Sequence, residues 1–98
     1  WISGQIPLDP VSKTLVDGDI TAQAEQVFTN LATIAEAAGG TLNNAVKVNI
    51  SLTDLSDFDA VNTVMASHFE APYPARACVQ VAALPKDADI EVEAILVL

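Results

Sequence analysis

The residues that most constrain this chain's fold are 90–98, IEVEAILVL. Read as a strand, they put Ile90, Val92, Ala94, Leu96 and Leu98 on one face and Glu91, Glu93, Ile95 and Val97 on the other. Both faces become apolar toward the end. A strand apolar on both sides needs cover on both sides. The rest of the chain offers only two helical patterns, enough for one face of a sheet. The other face must meet something else, and a second copy of the chain is the simple candidate.

The first helical pattern runs over about 21–38. Ala24, Val27, Phe28, Leu31, Ile34, Ala35 and Ala38 form one apolar stripe, and Gln23, Gln26, Asn30 and Thr33 lie away from it. Asp19 or Thr21 can cap its start, and Gly39-Gly40 ends it. The second pattern has Phe58, Val61, Met65 and Phe69 on its inner face, with Ser56 as cap and Asp59 near capping-box spacing. Met65 reads as core filler and His68 as a helix-end residue.

Residues 46–52 alternate strictly, Val46, Val48, Ile50 and Leu52 against Lys47, Asn49 and Ser51, as a half-buried strand does. Residues 1–6 read as a short strand whose Gly4 admits a close neighbour. A turn at 7–13 and a brief return at Leu15-Val16 follow. With strands at 75–83 and 90–98, the order is β(β)αβαββ. That is one mixed sheet with two helices on one face, a single α+β domain over residues 1–98.

The formal net charge is −9, and only Lys13, Lys47, Arg76 and Lys86 are basic. They are scattered, which argues against a nucleic acid partner, since phosphate backbones need clustered cations. No apolar run is long enough to cross a bilayer, so no membrane partner is expected. One cysteine, Cys78, allows no intrachain disulfide and fits a reducing compartment. His68 is the only histidine, no Cys/His spacing surrounds it, and no metal site is expected.

The chemistry concentrates at 72–81, PYPARACVQV. Pro72 and Pro74 stiffen the approach to a strand. Ala77, Val79, Val81 and Ala83 then share one face, and Arg76, Cys78 and Gln80 the other. A guanidinium at a strand entrance can hold a carboxylate through two parallel hydrogen bonds, or pair with one of the chain's own acids. Cys78 shares Arg76's face, but no base is placed by sequence to make it a nucleophile. Glu91 and Glu93 lie about 7 Å apart on one strand face. If the last two strands form a hairpin about Lys86, Glu91 falls opposite Val81, roughly 16 Å from Arg76 along the strand. A site joining them then needs a neighbouring subunit or a different strand order.

PARACVQVAALPKDADIEVEAI, together with the early ISGQIP, the central AAG and LTDLSDF, in that order, resembles the Rid family of reactive intermediate deaminases, also called YjgF. The resemblance implies a chorismate-mutase-like homotrimer with clefts between subunits. It implies hydrolysis of 2-aminoacrylate-like enamines and 2-imino acids to 2-keto acids and ammonia, as 2-iminobutanoate/2-iminopropanoate deaminases do, with no cofactor. Arg76 would bind the substrate carboxylate and Glu91 would handle the water. Cys78 would line the pocket with its backbone. Ser3-Gly4 matches the segment near the carboxylate, and Asn62 a recurrent polar position of the second helix. A turn hydrogen bond is the alternative for Ser3, and from the residues alone Asn62 reads better as a helix-surface amide than as a ligand contact.

The family's N-terminal segment with its Gly-Pro-Tyr motif is missing from these residues. The loop before Pro72 is about three residues shorter than in close relatives, and Ala77 replaces a frequent small hydroxyl residue. The implied location is cytoplasmic, or mitochondrial for a eukaryotic source. A non-catalytic module binding small carboxylate metabolites is the alternative. A ribonuclease or translation inhibitor is a weaker one, given the acidic charge.

Overall fold

A computed structural model describes residues 1–98. Its strands are β1 (Ile2–Gln5), β2 (Ala45–Leu52), β3 (Ala75–Gln80) and β4 (Ile90–Leu96), and its helices α1 (Ile20–Ala37) and α2 (Phe58–His68). The strands form one sheet in the order β1-β4-β2-β3. β4 runs antiparallel to β1 and β2, and β3 runs parallel to β2. The sheet is mixed and both helices pack on one face, the α+β architecture expected from the pattern.

The Asp19 carboxylate caps α1 by accepting from the Ala22 amide at 3.0 Å. At the other end Gly39 takes φ +92°, where a side chain would be strained, and lets the chain leave the helix. The buried stripe is Ala24, Val27, Phe28, Leu31 and Ala35. It packs on Val48, Ile50 and Leu52 of β2 and Ile90, Val92 and Ala94 of β4, all in one apolar cluster. Phe28 is fully buried and stacks against His68 at 5.6 Å and edge-on against Phe69 at 6.1 Å.

Several boundaries differ from the sequence reading. Leu15 makes only an isolated bridge to Leu8, not a strand. Ser56 does not cap α2. Asp54 caps a short 3-10 turn, Leu55–Asp57, by accepting from the Ser56 amide, and α2 continues from that turn. The hydroxyl at 56 therefore lies inside the turn, too late to act as its cap.

The hairpin of β3 with β4 is not formed. The Val81 amide donates to the Leu52 carbonyl, and the Thr53 amide to the Asp89 carbonyl. Both ends of the 81–89 connection are thus pinned at the C-terminal end of β2. The chain passes over that end, and β3 and β4 flank β2 from opposite sides. β3 is left as an edge strand.

The two faces of β3 also differ from expectation. Arg76 and Cys78 are level with Val48 and Ile50, so they share the helix side. Ala77 and Val79 are level with Asn49 and Ser51 on the bare side, and Val79 is 52% exposed. The bare face also carries Lys47, Glu91, Glu93 and Ile95. β4 stops at Leu96, and Val97 and Leu98 follow at 63% and 68% exposure. The strand read to residue 98 thus ends two residues early, and Val97 and Leu98 lie uncovered beyond it.

Candidate functional site

Arg76 stands at the start of β3 on the edge of the sheet, where α2 crosses it. Its guanidinium lies over the Phe58 ring, 4.8 Å from the centroid, and its Nη1 donates to Asn62 Oδ1. Phe58 and Asn62 are four residues apart on α2, so one helical turn supplies both a flat support and an edge partner. Arg76 makes no ion pair with any of the thirteen acidic residues. An amide oxygen holds it without neutralising it, and its remaining donors border an open cavity of about 430 Å³. That cavity is lined by Asn62, Met65, Ala66, Tyr73, Pro74 and Arg76. A fixed, unpaired guanidinium at a cavity wall suits a carboxylate.

Cys78 is half-buried and packs against the core cluster beside this site. Burial pushes its thiol above the ordinary range, only partly offset by the charge of Arg76. The thiol stays protonated at neutral pH, a poor nucleophile but a sound wall. Gln80, next on the same face, accepts from the Leu55 amide at 2.9 Å and fixes the approach to α2.

Glu91 lies elsewhere. It is level with Ser51 and Val79, on the bare face, and half-buried. Its side chain covers Gly4: a Cβ added there would come within 2.6 Å of Glu91 Cδ and 2.7 Å of Oε1. The close approach foreseen at Gly4 is therefore to this carboxylate. Glu93 is tied by a hydrogen bond from Asn49 Nδ2 at 2.9 Å, whereas Glu91 has no hydrogen-bond partner in the chain. Of the two acids, Glu91 is the one free to act on a ligand. Ser3 is exposed on β1 beside Gly4, and its carbonyl accepts from Gln5 Nε2.

Two clusters result. Arg76, Asn62 and Cys78 belong to the helix side at the β3 edge. Ser3, Gly4 and Glu91 belong to the bare face near β1. Along β2 the two registers differ by three residues, about 10 Å, and two strand spacings add about 10 Å across. One chain does not bring Arg76 and Glu91 onto one small molecule. Sequence reasoning missed Phe58 as a support, because its spacing fits a core position equally well. It also missed Tyr73 and the cavity-facing side of Met65 and Ala66, which show only once the 73–76 segment is seen against α2. No cluster of three or more His, Cys, Asp or Glu side chains could hold a metal ion, and no helix is long and apolar enough to cross a membrane.

Comparison with known proteins gives the following. The family model described as "Endoribonuclease L-PSP" matches residues 1–98. A 2-iminobutanoate/2-iminopropanoate deaminase of Capra hircus is 47% identical over 97 residues, covering 99% of this chain and 71% of its own length. A RutC family protein of Sinorhizobium fredii is 47% identical over 98 residues, covering 100% of this chain and 78% of its own. Among solved structures, RidA from an Antarctic Psychrobacter is 56% identical with a TM-score of 0.94, covering 98% of this chain and 77% of that one.

Proposed function

The chain belongs to the endoribonuclease L-PSP family, known also as Rid or YjgF, and on that premise we propose that it is a hydrolytic deaminase of reactive 2-imino and enamine acids. The observation that carries this reading is Arg76, seated on Phe58, held by Asn62 and left without a counter-ion at a cavity wall. Relatives named 2-iminobutanoate/2-iminopropanoate deaminase support the substrate class. The family description names an endoribonuclease, but a chain of net charge −9 with four scattered basic residues favours a single small carboxylate over a phosphate backbone.

In this reading Arg76 binds the substrate carboxylate through the planar fork and so fixes the position of the imine carbon. Glu91 accepts a proton from water as its oxygen bonds to that carbon. The nitrogen of the tetrahedral carbinolamine then takes the proton from Glu91, and the hydroxyl gives up its own as the C–N bond breaks, releasing ammonia and leaving the 2-keto acid. An enamine enters after tautomerising to its imine. The main-chain groups of Gly4 and Cys78 orient carboxylate and nitrogen, and Ser3 stands beside them.

Because Arg76 and Glu91 lie on different faces of one sheet, the reaction needs two copies. One subunit supplies Arg76, Asn62 and Cys78, and its neighbour supplies Glu91, Gly4 and Ser3. The bare sheet face, the unpaired edge of β3 and the exposed Val79, Val97 and Leu98 support assembly through these surfaces. The geometry asks for a neighbouring copy, and the family resemblance makes the assembly a homotrimer. The direct test is ammonia and keto-acid release from imines generated in place by an amino-acid oxidase. Arg76→Ala should return release to the uncatalysed rate with the fold intact; undiminished acceleration over that rate would overturn the reading.

A further inference from the structure

The cavity beside Arg76 is asymmetric in a way that bears on which imino acids enter. Arg76 and Asn62 are at one pole. Met65, Ala66, Tyr73 and Pro74 form the other. Asn62, Met65 and Ala66 recur at helical spacing along α2, and 73–74 wall them from outside. Met65 is 4% exposed and Tyr73 59% exposed, so one wall is set in the core while the other stands out into solvent. The only charged residue of the lining is Arg76. The groove is open on one side, and nothing in its lining closes it off just beyond a two-carbon side chain. An occupant whose carboxylate is taken by Arg76 has Met65, Ala66 and Tyr73 as the apolar groups within the same lining for its other end.

We infer that Met65, Ala66 and Tyr73 select 2-imino acids with a branched or long apolar side chain, and reject those with a second carboxylate. The inference rests on the reading that Arg76 holds the substrate carboxylate. A second carboxylate finds no cation in this lining, and the net charge of −9 opposes it. Each added carbon, if fully buried, strengthens binding about fourfold. In a groove open on one side roughly half of that is realised, about twofold per carbon. Three added carbons then give about eightfold.

Calorimetric titration of the full-length protein tests this with three stable keto analogues: pyruvate, 4-methyl-2-oxopentanoate and 2-oxoglutarate. Expected is an affinity ratio of about eight for the branched acid over pyruvate, with 2-oxoglutarate weaker than either. Ala66→Trp fills the far pole, and Ala66 is exposed on α2, so the fold should hold. It should bring the ratio to about one, and Tyr73→Ala should lower it by about half. A ratio of one in the wild type, or 2-oxoglutarate as the tightest ligand, overturns the selectivity while Arg76-dependent pyruvate binding leaves the deaminase reading standing. Pyruvate binding that survives Arg76→Ala unchanged overturns both.

Discussion

Gly4→Ala tests how finely Glu91 must be placed. A Cβ at position 4 would meet Glu91 Cδ at 2.6 Å, Oε1 at 2.7 Å and Cγ at 3.0 Å. Ordinary contact needs a further 1 Å or so; β1 is irregular at Gly4 but is held on either side of it by pairing of Ile2 with Ala94 and Gln5 with Val92. The carboxylate therefore moves. Glu91 is half-buried with no side-chain hydrogen bond to lose, so pushing a χ angle about 30° off its rotamer costs about 0.5–1.5 kcal/mol. Gly4 is not at positive φ, and removing a glycine from the unfolded chain returns about 0.4–1 kcal/mol. The two nearly cancel, and stability should change by less than about 1 kcal/mol. Displacing a reacting group by about 1 Å lowers turnover on the order of a hundredfold. The assay is imine hydrolysis beside pyruvate titration and urea denaturation. Expected is a large fall in kcat, little change in Arg76-dependent binding, and no further loss when Gly4→Ala is added to Glu91→Gln. Turnover within about threefold of wild type would refute the role given to Glu91.

Arg76→Lys keeps the charge but loses the fork. It should lose most of its turnover, while stability, measured by denaturation, changes by at most about 1 kcal/mol. Phe28→Ala empties a fully buried site between α1, His68 and Phe69, and should destabilise by about 3–5 kcal/mol in the same assay. Cys78 is held protonated by burial, so iodoacetamide should label it more slowly than a free thiol at pH 8 and faster as pH rises; Arg76→Ala removes the opposing charge and should slow labelling further. Cys78→Ser should keep most deaminase activity, and a loss beyond about a hundredfold would assign the thiol a chemical role.

The architecture was legible because its periods are clean. The alternation of 46–52 and the stripe from Ala24 to Ala35 match the observed elements within a residue, except that Val46, read as facing the core, is 48% exposed at an irregularity in the β2–β4 register. Strand order was not legible. Nothing in ALPKDADI distinguishes a turn that pairs β3 with β4 from one that carries the chain over the end of β2. The order shows in the pairing of β2 with β3 on one side and β4 on the other, and the Val81 to Leu52 and Thr53 to Asp89 hydrogen bonds pin the connection at the end of β2. The face of Arg76 was misjudged for a related reason. Ala77 and Val79 look like the buried side of a half-buried strand, but β3 is an edge strand with its small apolar residues on the bare face. Arg76 itself stood out because cations are so few, and Gly4 because a strand interior rarely keeps glycine without a close neighbour. That Gly4's neighbour is Glu91 depends on the β1–β4 pairing, which no local pattern encodes.

The central claim is that one subunit's Arg76 works with another's Glu91, and mixing inactive variants tests it most directly. Arg76→Ala and Glu91→Gln are each prepared, unfolded together in equal amounts, and refolded so that subunits exchange. Where a site draws Arg76 from one subunit and Glu91 from its neighbour, random mixing restores both groups in about a quarter of the sites. Imine hydrolysis should therefore recover to about a quarter of the wild-type rate. If the mixture stays as inactive as its parents while refolded wild type regains full activity, both groups act within one chain and the two-copy site is wrong.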